Sequence, residues 1–334
     1  MKSSKLLELI RTRYEAGIKR ALHIESSPGI GKTQIAAQAA EALGIGFRVI
    51  HAPLLQPEDY GFPVISADRT DVSFIVSKGK FPIEGSDCPA EGILLIDELP
   101  QSDNSAQKIL ANLLQEREIH GQRLLPGWLI VSTGNRTQDR AGANRLLSHL
   151  KDRLTTIELE SSIEDWTAWA LEHEIKPEVI SFLNFRPGLL NSFDANSHIN
   201  ATPRSWSEGV SRSLGTAPAS LEFEVFKGDV GEGPAAEFCG YLKIFRDLPN
   251  VEDIFARPKE IEVPKETAIV YATCGAIAHA VSAETFGAAL AFIERLPPEF
   301  SALFIRDAIK LCPAIQETEA FIQWCARNGA DLLI

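Results

Sequence analysis

The residues of this chain most able to do chemistry by type and order are Ser26-Ser27-Pro28-Gly29-Ile30-Gly31-Lys32-Thr33. They follow the phosphate-binding pattern G-x-x-x-x-G-K-S/T, except that Ser26 stands where the first glycine would be. In such a loop, backbone N–H groups and a helix N-terminus turn toward phosphate oxygens. Gly29 and Gly31 let the backbone approach where a Cβ would obstruct. Lys32 brings a point charge to the β- and γ-phosphates, and the Thr33 hydroxyl belongs to a Mg²⁺ shell. Ser27, Pro28, Gly29, Ile30, Gly31, Lys32 and Thr33 are therefore the expected cradle for a nucleotide and Mg²⁺. Ser26 leaves Lys32 in register, since the first loop position mainly needs a small residue.

Farther along, Gly92-Ile93-Leu94-Leu95-Ile96-Asp97-Glu98 is an apolar run ending in two acids. A buried parallel strand reads as a continuous apolar run, and ligands bind beyond the carboxyl ends of such strands. Asp97 is expected to join Thr33 in holding Mg²⁺, through the ion's water shell, and Glu98 to polarise an attacking water. A second run, Trp128 to Asn135, also ends in a polar residue. Asn135 could hold the γ-phosphate or the water, or could simply form a turn.

The elements that must position these residues alternate. The pattern predicts a helix over 4–20, with Leu6, Leu7, Ile10, Tyr14 and Ile18 on one face, then a strand over 21–24. A helix over 33–43 and a strand over 47–51 follow, and alternating segments at 62–76 suggest a β-hairpin inserted into the core. Strand 93–96, helix 105–115, a hairpin turn at His120-Gly121, strand 129–132, helix 143–150 and strand 155–159 complete the series. The expected fold class is α/β, a parallel sheet flanked by helices. Beyond residue 160 the pattern is helical, at 163–172, 177–184, 203–213 and 234–246, with turn-rich segments such as 227–234 between. A linker at 256–266 leads to helices near 266–282, 284–295, 299–310 and 316–327. The expected domains are 1–160, the nucleotide-binding core; 161–250, a helical lid; and 251–334, a helical extension. Trp166, Trp169, Trp206 and Trp324 fall at core positions of amphipathic helices.

Composition narrows the class. The 334 residues are 45% hydrophobic and 23% charged, which excludes a disordered chain or a small disulfide scaffold. Lys and Arg number 33 against 45 Asp and Glu, a net charge of −12 that counts against broad nucleic-acid binding. Five scattered cysteines contain no C-x-x-C pair and read as reduced thiols. The seven histidines show no metal spacing. The N-terminus lacks a signal-peptide core, and the most apolar window, 268–281, is too short for a membrane span, which needs about 20 residues. A soluble, cytoplasmic protein is expected.

Taken in order, Gly31-Lys32-Thr33, the acidic strand ending at Asp97-Glu98, Ser132-Thr133-Gly134-Asn135, Lys151-Asp152-Arg153 and Thr202-Pro203-Arg204 resemble an AAA+ ATPase over residues 5–250. The hairpin at 62–76 is similar to the insertion of the MoxR-like branch of bacteria and phages. That resemblance implies ATP as the nucleotide and a ring of subunits, a hexamer by the family's habit, hydrolysing ATP at subunit interfaces. It implies that Asn135 is the first sensor, that Arg153 is an arginine finger and that Arg204 is the second sensor, in the lid. The basic run Arg136, Arg140, Arg145, Lys151 and Arg153 then reads as an edge facing a neighbour's γ-phosphate or as a solvated face, with Arg140 a second finger candidate. The implied output is chaperone-like remodelling of a partner protein, often one with a von Willebrand factor A domain. The alternative is a nucleic-acid motor or loader of a restriction or replication system.

Overall fold

A computed structural model describes residues 1–136, 146–194, 197–216, 218–246, 248 and 250–328. The chain divides between Ser161 and Ser162 into two compact units, with a short stretch from Phe193 grouping with the first.

The first unit is built on a parallel sheet of five strands. They are β1 (Ala21–Ser26), β2 (Gly46–His51), β5 (Glu91–Asp97), β8 (Gly127–Asn135) and β9 (Leu154–Glu158), in the spatial order β2-β5-β8-β1-β9. Antiparallel β3 (Phe62–Ile65) and β4 (Val72–Ile75) form one hairpin, and β6 (Glu118–Ile119) and β7 (Gln122–Arg123) another. The helices of this unit are α1 (Ser3–Glu15), α2 (Lys32–Leu43), the single turn α3 (Pro57–Tyr60), α4 (Asn104–Glu116) and α5 (Ser148–Lys151).

Alternation along the central strands sorts side chains onto two faces. Ile93, Leu95, Leu129 and Val131 pack with Leu6 and Ile10 of α1 and Ile35, Ala36 and Ala39 of α2. Leu94, Ile96, Trp128 and Ile130 face the other way, onto Ala106, Leu110 and Leu114 of α4. Burying a leucine of this kind fully is worth about 1.5–3 kcal/mol, so both layers clamp the sheet that carries the site. Asp103 caps α4, its carboxylate accepting the Ala106 N–H at 2.8 Å.

Helix α1 is shorter than the pattern over 4–20 predicts. Gly17, at φ 65°, turns the chain left-handed directly after it, and Ile18 stands 42% exposed instead of extending the buried stripe. A hydrophobic period alone does not register such a stop.

The second unit is helical: α6 (Ile163–Glu172), α7 (Pro177–Phe185), α8 (Ser211–Ser213), α9 (Glu222–Val230), α10 (Glu232–Arg246), α11 (Val251–Ala256), α12 (Thr267–Ala280), α13 (Phe286–Ile293), α14 (Pro298–Leu311) and α15 (Glu319–Asn328). Phe182, Trp206, Phe226, Phe238 and Tyr241 form one aromatic core, and Phe286, Phe292, Phe304 and Trp324 belong to another. Trp166, Trp206 and Trp324 are buried as expected, whereas Trp169 is only half-buried and stacks on His173. The segment 227–234 is mostly helix, since Gly231 at φ 87° alone separates α9 from α10. Among the described residues no helix is long and apolar enough to cross a membrane.

Candidate nucleotide-binding site

The site is assembled at the carboxyl ends of three adjacent strands, where α/β sheets bind ligands. Strand β1 ends at Ser26, β8 at Asn135 and β5 at Asp97, and Ser26 pairs directly with Asn135. The loop after β1 enters α2 through Gly29 at φ 78° and Gly31 at φ 98°. Residues with a Cβ avoid both angles, so the two glycines allow the tight entry that puts Lys32 in the first turn of the helix. That turn brings N–H groups and the positive end of the helix dipole to the loop.

Lys32 spans the gap between strands. Its Nζ donates to Ser26 Oγ at 3.0 Å, to Asn135 Oδ1 at 3.0 Å and to the Ser27 carbonyl at 3.3 Å. Next to it, the Thr33 hydroxyl donates to Asp97, 3.2 and 3.3 Å from the two carboxylate oxygens. Asp97 is 13% exposed and accepts a second hydroxyl hydrogen bond, from Thr133. Glu98 follows, exposed, with its backbone at φ 56° and ψ 38°. A non-glycine residue in that region is strained, and such strain gathers at functional sites.

Thr33 and Asp97 present hard oxygen donors side by side. Mg²⁺ is typically held by one or two carboxylates together with substrate phosphates and water, so this pair fits it without an all-protein cage. Among the described residues no group of three or more His, Cys, Asp or Glu side chains could hold a metal.

The remaining predicted residues lie elsewhere. Arg153 precedes β9, and Leu154 pairs with Ala21 at the opposite end of β1 from Ser26, about 16 Å away at the usual rise per residue. Its Nη1 donates to the Ala111 carbonyl at 3.5 Å. Arg204 belongs to the second unit, where it is exposed immediately before a stretch of π-helix, Ser205–Val210. Arg136 pairs with Glu158 at 3.0 Å. Arg140 and Arg145 lie outside the described residues, as does part of the helix predicted over 143–150.

Three side chains joined to this constellation carry no role in the sequence reading. Ser26 was expected only to be small, but its hydroxyl accepts from Lys32. His51, at the end of β2, lies with Nδ1 3.4 Å from Asp97 Oδ2. Thr133 joins Asp97 to the Glu98 backbone, whose N–H donates to its Oγ1 at 3.0 Å. Its place two residues before Asn135, and hence on the same strand face, is the one signal the sequence offered.

No protein-family model matches the chain, and no curated protein matches it. Solved structures do resemble it. The chain is similar to a RuvB point mutant of Thermotoga maritima at 17% identity, over 91% of this chain and 85% of that one, with a TM-score of 0.40. It is similar to NtrX from Brucella abortus in complex with ADP at 15% identity, over 71% of this chain and 65% of that one, with a TM-score of 0.35. It is also similar to a DNA polymerase III gamma-subunit-related protein of Thermotoga maritima at 12% identity, covering 91% and 83%, with a TM-score of 0.34. At such distances chemistry has to be argued from the site itself.

Proposed function

We propose that this chain is a Mg²⁺-dependent ATPase of the AAA+ kind, with ATP bound at the edge of the sheet and hydrolysed to ADP and phosphate. The observation that carries this reading is the convergence of Lys32, Thr33, Asp97, Glu98 and Asn135 from one loop and two strand ends. Lys32 neutralises charge on the β- and γ-phosphates, and the loop N–H groups orient them. Thr33 and Asp97 hold Mg²⁺, which when bound offsets the charge of the phosphate oxygens. Glu98 accepts a proton from the attacking water as its oxygen approaches the γ-phosphorus. Asn135, next to Lys32, orients that water or the γ-phosphate.

In this reading the chain works as a ring, a hexamer by resemblance, with Arg153 reaching a neighbour's γ-phosphate. Its position at the far edge of the sheet supports a role toward another subunit and not toward its own loop. Residues 161–250 act as a lid in which Arg204 senses the γ-phosphate, and 251–334 form a helical extension. The hairpin β3–β4 between β2 and β5 supports the MoxR-like assignment, and with it a protein client or partner, such as one with a von Willebrand factor A domain.

The test is Glu98→Gln. It should retain ATP binding within about threefold while turnover falls by about 10²-fold or more, as expected when the group that takes the water's proton is lost. A variant that hydrolyses ATP as fast as wild type would sink this mechanism.

A further inference from the structure

We propose that Thr133 is a positioning residue that sets both acids of the site through its one hydroxyl, an inference that rests on the ATPase reading for its catalytic consequence. Thr133, on β8, is fully buried and bonds to the tip of β5. Its Oγ1 donates to Asp97 Oδ1 and accepts the Glu98 N–H at 3.0 Å. A hydroxyl has one proton to give and lone pairs to accept with, so the two bonds use it in both senses. The donor bond restrains the Asp97 carboxylate, whose oxygens also accept from Thr33. The acceptor bond restrains the residue that bends left-handed at φ 56°, and that bend sets the direction in which the Glu98 side chain leaves the strand.

The strand supplying the hydroxyl also carries Asn135, which accepts from Lys32. Thr133 and Asn135 share a face of β8, so one strand end ties the phosphate-loop lysine to the acid pair. A shift of β8 along its axis would therefore reach Lys32 and Glu98 together.

The experiment compares wild type, Thr133→Ser and Thr133→Val, the last being close in shape but without the hydroxyl. Amide hydrogen exchange at Glu98, read by NMR on the protein without nucleotide, tests the positioning directly. The Glu98 amide should be protected in wild type and in Thr133→Ser. It should exchange at least about tenfold faster in Thr133→Val. Steady-state kinetics should show kcat reduced at least about tenfold in Thr133→Val, with nucleotide Kd within about threefold and Thr133→Ser near wild type.

An unprotected Glu98 amide in wild type would overturn the proposal without need of any variant. Unchanged exchange in Thr133→Val would overturn it as well, even if turnover fell, because the hydroxyl would then not be what restrains Glu98. Faster exchange with unchanged kcat would overturn the catalytic consequence. If wild type hydrolyses no ATP, the ATPase reading fails, and the exchange data still decide whether Thr133 positions Glu98.

Discussion

At the residue scale, the chemistry depends on a few close approaches that only certain residue types permit. Gly134 shows this most sharply. It lies between Thr133 and Asn135, and a Cβ there would stand 2.7 Å from Pro100 Cγ and 3.1 Å from His23 Cε1. Pro100 lies two residues after Glu98, so the glycine lets β8 pack against the turn that follows the acid pair. Gly134→Ala should destabilise the fold by about 1–3 kcal/mol through overpacking, seen as a lower urea midpoint with an unchanged slope. An unaltered midpoint would mean that the turn yields freely. That Lys32, Thr33 and Asp97 belong to one site was legible in the sequence, because the loop pattern and the acid-ending strand are the marks of one known kind of site. Ser26, His51 and Thr133 were not, because their contacts depend on which strands are neighbours. The order β2-β5-β8-β1-β9 brings together residues far apart in the chain.

At the element scale, the five strands of the sheet and helices α2 and α4 were readable from apolar runs and periods, and so was the hairpin of β3 and β4, whose two alternating segments pair antiparallel. What periodicity could not show was where left-handed residues end an element, as at Gly17 and Gly231. Nor could it show that the two hairpins touch. Phe74 of β4 stacks on His120, in the turn between β6 and β7, at a centroid distance of 4.2 Å, and a Cβ on Gly61 would collide with the same imidazole. Burial holds the His120 pKa below its ordinary value of 6.5. The folded chain then binds fewer protons at this site than the unfolded chain as pH falls below that value. The stability His120 contributes is therefore complete above about pH 6.5 and is lost as pH falls through its lower, folded pKa. The melting temperature of wild type should drop more steeply between about pH 7 and pH 5 than that of His120→Phe, which keeps the ring but cannot charge. Parallel curves for the two proteins would show that the stack does not sense protons.

At the scale of the whole molecule, the proposed arginine finger and the proposed cradle lie apart within one subunit. The cradle lies at the carboxyl edge of the sheet and Arg153 at the opposite edge, so a single chain does not bring the two together. An arginine supplied in trans to a transferring phosphoryl group is worth about 10³-fold or more in rate. The net charge of −12 counts against a nucleic-acid track as the source of activation, and the proposed reading has assembly complete the site. The most direct measurement is ATP turnover per subunit as a function of protein concentration, for wild type and Arg153→Ala. For wild type the rate per subunit should rise with concentration and saturate, while Arg153→Ala stays low throughout despite binding ATP. A wild-type rate that is substantial and flat, or an Arg153→Ala protein that matches it, would contradict a site shared between subunits.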